Sequence, residues 1–199
     1  MPFLVPKCVP GGLTMKRLIR SAIIMASAAL GTNIAMVPTA AAAQTKETPA
    51  ERDATREQLR AILASVGPRN DVAITFRQST QNPYNFVGSA TGLTNSDSLE
   101  VVISVTEYKT LSFRIYPHYH GGYINLGRAK NPAGLMQKLL QYNDTNFLFF
   151  GADETKDVFA GYTFTLESGF PNEAVTIVLR SLRNQDKYVG EVRSLIDDK

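Results

Sequence analysis

Hydrophobic residues along the chain follow the helical period in three segments and the strand period in several others. In the first half, an apolar stripe at i, i+3, i+4 and i+7 predicts an amphipathic helix from Thr55 onward. The stripe consists of Leu59, Ile62, Leu63 and Val66. Gly67 and Pro68 then end the helix. Glycine readily adopts the backbone conformation found at helix C-termini, and proline cannot continue a helix.

Apolar residues alternate with mostly polar ones over positions 99–105 and 111–116. A period of two predicts antiparallel strands with one buried and one wet face, joined by a turn at Tyr108 and Lys109. Shorter apolar runs predict further strands over 72–76, 85–87 and 123–126.

The second half of the chain predicts a helix, two strands and a last helix. Asn131 and Pro132 have the residue types of a helix cap and first helical position. Strands are predicted over 147–150 and 158–166. A last helix opens over 168–171, and its extension follows a break near Asn184. Its apolar face consists of Val175, Val178, Leu179 and Leu182.

The predicted order is therefore a helix, several strands, a second helix, two strands and a last helix. Helices and strands do not alternate strictly, which argues against a parallel, doubly wound sheet. We predict an α+β fold over residues 55–199, with an antiparallel sheet and helices packed on one face.

The N-terminal region has the three parts of a secretory signal. Residues 15–20 are cationic, 21–37 are mostly apolar, and 40–43 are four alanines behind Pro38. We predict a signal peptide over 1–43 with translation starting at Met15. The alternative is a retained anchor, but the apolar run is interrupted at 31–33 and falls short of the roughly 20 apolar residues that span a bilayer.

Removing that signal changes the composition of the chain. Residues 44–199 keep 17 basic and 18 acidic residues, a net charge of −1, so the basic character of the full chain does not predict nucleic-acid binding. Cys8, the only cysteine, is also removed, so no disulfide is expected.

Residues 44–54 are polar and predict a flexible tether. The expected product is periplasmic or secreted, without a membrane anchor.

His118 and His120 form a His-x-His motif among tyrosines. Residues two apart in a strand point to the same face, so the two imidazoles could begin a metal site. Metal sites usually take three or four protein ligands, and the sequence places no third one. A small-ligand or metal-binding protein that uses these histidines stays open as the alternative function.

Catalytic motifs are not evident. A calcium loop counted from Asp153 would need Gly and Glu where Val158 and Phe164 stand. The sequence has no Gly-x-Ser-x-Gly elbow, phosphate loop or dinucleotide fingerprint. We therefore predict a protein that is not an enzyme and that uses no cofactor.

Aromatic residues concentrate on the two strands of the second half. In a regular strand, Phe149 and Phe150 point to opposite faces, so one of them faces away from the core or the sheet is covered on both sides. These residues form either ordinary core or an apolar patch that binds a protein partner or closes a homodimer. The candidate partner surface comprises Phe149, Phe150, Phe159 and Tyr162.

The second half resembles the YbjN-like family of bacterial sensory transduction regulators. The resemblance lies in the helix with Leu139-Leu140-Gln141-Tyr142-Asn143, the hairpin over 147–166 and the helix after Pro171, and it covers about residues 55–196. The family often has Trp-Asn where this chain has Tyr142-Asn143. The resemblance implies the order α-β-β-β-α-β-β-α, to which this chain adds strands near Asn85 and Tyr123. It also implies a fold like that of type III secretion chaperones and a regulatory or chaperone-like role. The family supplies no catalytic residues. Many of its members are cytoplasmic, and this chain differs from them in its predicted export signal.

Overall fold

The computed structural model describes residues 46–197. Ala42–Lys199 form one compact unit, and the other unit, Met1–Ala41, lies outside the described residues together with the predicted signal peptide. The helices are α1 (Pro49–Val66), α2 (Pro132–Thr145), α3 (Asn172–Ser181) and α4 (Asp186–Ile196). The strands are β1 (Arg77–Gln78), β2 (Asn85–Ala90), β3 (Ser98–Val105), β4 (Thr110–Tyr119), β5 (Gly122–Tyr123), β6 (Phe149–Ala152) and β7 (Val158–Thr165).

The strands form one antiparallel sheet in the order β1-β2-β3-β4-β7-β6, with β5 paired to the end of β4. The two alternating segments pair as predicted, with Val101 opposite Ile115 and Ile103 opposite Phe113. Side chains alternate between buried and partly exposed along both strands. The α+β class and the antiparallel sheet predicted from the periodicity are confirmed.

The helices pack on one face of the sheet. One hydrophobic cluster joins α1 and α3 to the centre of the sheet, with Leu59, Phe113 and Leu179 fully buried. A second cluster joins α2 and α4 to the β4 and β7 ends that carry Pro117 and Val158. Since cross-strand partners point to the same side, the register places both clusters on the same face. No helix among the described residues contributes to a cluster on the other face.

The predicted tether over 44–54 is wrong from Lys46 onward. Helix α1 begins at Pro49, six residues before the predicted start, because Thr48 and Glu51 form a reciprocal capping box. The amide of Glu47 donates to the carbonyl of Glu107 at 2.8 Å, and Arg52 donates to the carbonyl of Val105 at 2.7 Å. These contacts to the β3–β4 turn fix a segment whose composition alone predicts mobility.

Two predicted strands differ from the structure. The predicted strand over 72–76 is absent: Val72 closes a turn and Ala73 is left-handed with φ 53°, so pairing with β2 begins only at Arg77. The side chains of Ile74 and Phe76 pack against Gly88 of β2 instead, where a Cβ atom would lie 2.5 Å from Ile74. The predicted strand over 123–126 shortens to β5, Gly122–Tyr123. The break predicted near Asn184 is a 3₁₀ turn between α3 and α4.

A buried carboxylate ties α4 to the loop between β2 and β3. Asp186 accepts hydrogen bonds from the backbone amides of Thr94, Asn95 and Ser96, and from the Ser96 hydroxyl at 2.6 Å. Burial alone would raise the pKa of Asp186, but the hydrogen bonds from Ser96, Thr94 and Asn95 outweigh it and lower that pKa. Within residues 46–197, no helix is both long enough and apolar enough to cross a membrane.

Candidate functional site

The four aromatic residues of the predicted partner surface divide between the two faces of the sheet. Phe150 and Tyr162 point to the helical side, where the Phe150 ring lies 5.1 Å from that of Tyr142. Phe149 and Phe159 point to the open side and belong to neither hydrophobic cluster. The opposite orientation of the Phe149 and Phe150 side chains follows from the strand register. The structure therefore does not bring these four residues together as one surface.

On the open face, each of the two phenylalanines lies across a glycine of the neighbouring strand. Phe149 is the partner of Gly161, and a Cβ atom on Gly161 would approach Phe149 Cζ to 2.7 Å. Phe159 is the partner of Gly151, with a corresponding distance of 3.2 Å. The rings meet edge to face with centroids 5.9 Å apart, a favourable aromatic geometry. Because neither glycine carries a side chain, the two rings occupy the space above them.

The ring contacts continue across the sheet towards β4 and β5. Tyr116 lies 5.7 Å from Phe159 and 5.7 Å from Tyr123, and His118 lies 4.3 Å from Tyr123. We call this set, Phe149, Phe159, Tyr116, Tyr123 and His118, the aromatic row. It crosses four strands on the face that carries no helix among the described residues. Phe149, at one end of the row, is 43% exposed, and Tyr123, next to His118 at the other end, is 36% exposed, whereas Phe159 is only 7% exposed.

One cation lies over the middle of the row. The guanidinium carbon of Arg114 lies 4.7 Å from the centre of the Phe159 ring, within cation–π range, and its Nη1 donates to the Tyr116 hydroxyl at 3.3 Å. No Asp or Glu oxygen of residues 46–197 lies within ion-pair distance of Arg114. The arginine thus covers Phe159 while its charge faces solvent, which leaves planar hydrogen-bond donors for an incoming group.

The far end of the row is held by a carboxylate. The Tyr123 hydroxyl donates to Glu100 Oε2 at 3.1 Å, and His118 Nε2 lies 3.5 Å from the same oxygen. Burial and the negative charge of Glu100 raise the pKa of Tyr123 to about 12. The hydroxyl therefore stays protonated at neutral pH and remains a hydrogen-bond donor. This end of the row is polar, while the Phe149 end is apolar.

The prediction that His118 and His120 share one face is wrong. Strand β4 ends at Tyr119, and His120 adopts a left-handed backbone conformation with φ 53°, so the alternation stops before it. The His120 ring stacks on Tyr119 and lies 3.5 Å from Asp197, whereas His118 faces Glu100 and Tyr123. Among residues 46–197, no three His, Cys, Asp or Glu side chains converge on a possible metal position. The metal-binding alternative thereby loses its geometric basis.

A small cavity and an open groove lie beside strands β4, β6 and β7. The cavity between the sheet and helices α2 and α4 measures about 20 Å³, close to the space of one water molecule. Beside the aromatic row, an open groove of about 450 Å³ is lined by Arg114, Ala152, Asp153, Glu154, Thr155 and Phe159. A flat, aromatic and partly charged surface fits a macromolecular partner better than an enclosed small molecule.

Sequence reasoning missed Arg114 and Tyr116 as part of the surface. Both alternate with the buried residues Phe113 and Ile115, so the strand pattern already placed them on the wet face. Their proximity to Phe159 depends on the pairing of β4 with β7, two strands separated by helix α2 in the sequence. That pairing is a property of the tertiary fold, which no local pattern reports.

The sequence matches no protein-family model and no curated protein. Among solved structures, a chain of the crystal structure of the ExsC–ExsE complex is similar, with a TM-score of 0.45 and 16% sequence identity. The alignment covers 72% of this chain and 98% of that chain. A likeness at that score carries no argument about family or function. Membership of the YbjN-like family therefore stays a prediction from the sequence.

Proposed function

We propose that this chain is an exported, non-enzymatic protein-interaction domain that binds a protein partner through the aromatic row. The observation that carries this proposal is a continuous chain of five rings on a sheet face without a helical cover among residues 46–197. Phe149 and Tyr123 are the exposed rings of this row, and exposed apolar side chains gathered on one face mark sites of association.

The composition of the row supports a protein as the partner. Phenylalanine, tyrosine and arginine are the residue types enriched at the energetic centres of protein interfaces. The apolar end at Phe149 suits a hydrophobic side chain, and Arg114 suits a carboxylate that binds its planar guanidinium. The near-neutral composition of residues 44–199 does not supply the basic surface that nucleic-acid binding uses.

The regulatory role and the export of the domain are proposed from the sequence. The resemblance to YbjN-like regulators supports a chaperone-like or regulatory role, and the pattern over residues 15–43 supports export to the periplasm or beyond. We propose both as properties of the same domain, which would meet its partner outside the cytoplasm.

Site-specific photo-crosslinking tests the interaction surface in cells. We replace Phe149 with p-benzoylphenylalanine and use Ile177, 60% exposed on α3, as the matched control position. Discrete crosslinks to another polypeptide at position 149, at least about fivefold stronger than at 177, are expected. Equal crosslinking at the two positions, or none at 149, would overturn the proposed surface.

Fractionation of cells that express the full 199-residue chain tests export separately. The expected product is found outside the cytoplasm and begins near Gln44 by N-terminal sequencing. An Ile24→Arg variant places a charge in the apolar run, so it should remain uncleaved in the cytoplasm. Full-length wild-type chain in the cytoplasm would contradict the export proposal and leave the crosslinking result independent of it.

A further inference from the structure

Strand β6 lies at one edge of the sheet, and its sequence lacks the usual defences of an edge strand. Segment 147–152 reads Phe-Leu-Phe-Phe-Gly-Ala, with neither a charge nor a proline. Phe147 is 53% exposed and Phe149 43% exposed. Short uncharged segments of this kind pair readily with another strand, and natural edges are commonly protected by charge, proline or a covering element.

The side chain of Asn143 occupies the outer side of this strand. Its Oδ1 accepts from the backbone N–H of Phe150 at 2.6 Å, and its Nδ2 donates to the Phe150 carbonyl at 3.3 Å. A carboxamide carries the same acceptor and donor as a peptide group. Asn143 therefore makes with Phe150 the pair of hydrogen bonds that a residue of an added antiparallel strand would make.

The position of Asn143 is set by its neighbour in helix α2. Tyr142 is buried, its ring lies 5.1 Å from Phe150, and its hydroxyl donates to Glu191 of α4 at 2.9 Å. These contacts fix the last turns of α2 against β6. The amide of Asn143 is thus held at the strand edge by packing, although the side chain itself is exposed.

We propose that Asn143 is a side-chain cover that prevents β6 from pairing with β6 of a second copy of this chain. Two identical edges related by a two-fold axis are self-complementary, because an antiparallel pair repeats each contact twice. Phe150 lies where such a pair would exchange its hydrogen bonds. While the Asn143 amide holds that N–H and carbonyl, the central pair cannot form. The inference concerns the backbone hydrogen bonds at the edge of β6, whereas the proposed interface concerns the rings on the open face; Phe149 belongs to both.

Sedimentation velocity of the unit from Ala42 onward, measured over a concentration series, tests this inference. The Asn143→Ala variant should self-associate with a dissociation constant at least about tenfold lower than that of the wild type. Asn184→Ala, at an exposed asparagine for which no side-chain hydrogen bond occurs among residues 46–197, should behave as the wild type. Unchanged sedimentation of folded Asn143→Ala at every concentration would overturn the proposal.

A second variant identifies the edge as the surface involved. The backbone N–H of Ala152 points away from β7, as the N–H of Phe150 does. Ala152→Pro therefore removes an N–H at the free edge without removing a β6–β7 hydrogen bond. Added to Asn143→Ala, it should restore the sedimentation of the wild type. Amide hydrogen exchange of Phe150 should be at least about tenfold faster in dilute Asn143→Ala than in the wild type. Dimers that persist with Ala152→Pro, or unchanged exchange at Phe150, would also overturn the proposal.

Discussion

The ring of Phe149 lies directly across Gly161, its partner on the neighbouring strand. A Cβ atom at position 161 would come within 2.7 Å of Phe149 Cζ and 3.0 Å of the Phe113 carbonyl oxygen. Because Gly161 has no side chain, the exposed ring of Phe149 can pack against the sheet at this position. A ring held in this way loses little conformational freedom on binding, which favours its use as an interface anchor.

Substitution Gly161→Ala should displace the Phe149 ring and lower the free energy of unfolding by about 1–3 kcal/mol, because the new methyl group overlaps the ring and crowds a backbone oxygen. Urea unfolding measures the change. Gly122→Ala is the matched control, since no atom lies within 4 Å of a Cβ placed there. In a double-mutant cycle, Phe149→Ala should reduce the cost of Gly161→Ala. Additive free energies would contradict the contact.

Arg114→Ala should weaken crosslinking from position 149 at least about fivefold, because it removes the guanidinium that lies over Phe159 and faces the groove. The free energy of unfolding should fall by only about 0.5–1 kcal/mol, as for an exposed cation–π contact. Arg77→Ala, an exposed arginine on the same face at the other side of the sheet, is the control and should leave crosslinking unchanged. An equal loss in both variants would point to a general charge effect.

Asp186→Asn should lower the free energy of unfolding by about 2–4 kcal/mol. The carboxylate of Asp186 accepts hydrogen bonds from three consecutive backbone amides and the Ser96 hydroxyl. An asparagine amide would replace one accepting oxygen with an NH₂ group, which cannot accept a hydrogen bond from these donors. Asp197→Asn, at a less buried carboxylate near the chain end, serves as the comparison in the same urea experiment. A cost below that of Asp197→Asn would contradict the role of Asp186 as the tie between α4 and the β2–β3 loop.

The pKa of Asp186 makes the domain sensitive to acid in a defined direction. Because folding lowers this pKa, the carboxylate contributes stability above its unfolded pKa of about 3.9, and that contribution is lost as pH falls through the lower folded value. The stability difference between wild type and Asp186→Asn should therefore be constant near neutral pH and shrink below about pH 4. Thermal unfolding at a series of pH values measures this difference. A gap that widens in acid would show the opposite sign of the shift.

Thr48→Ala should shorten helix α1 from its N-terminus and cost about 1 kcal/mol, because the hydroxyl of Thr48 accepts the backbone N–H of Glu51. Hydrogen exchange at Glu51 and Arg52 should increase, while the buried part of the helix around Leu59 keeps its protection. Thr48→Ser is the control, since serine retains the capping oxygen. Unchanged exchange at Glu51 in the alanine variant would contradict the capping box and favour the predicted flexible tether for residues 46–54.

The sequence by itself determined the type and order of most elements. The apolar stripe around Leu59 and the alternation through Phe113 are local periodicities, and burial on one face imposes them directly on neighbouring residues. The residue types at Asn131 and Pro132 likewise marked the start of α2. The export signal is also a local pattern, and it remains a prediction.

Only the tertiary structure decided which side chains meet. The register of β6 on β7 set Phe149 and Phe159 on the open face and sent Phe150 and Tyr162 to the helices. The pairing of β4 with β7 added Arg114 and Tyr116, and a left-handed residue at His120 separated the two histidines. Periodicity states which side of its own strand a residue occupies. Which residues lie beside it depends on pairings between segments far apart in the chain, and those pairings follow from packing the whole domain.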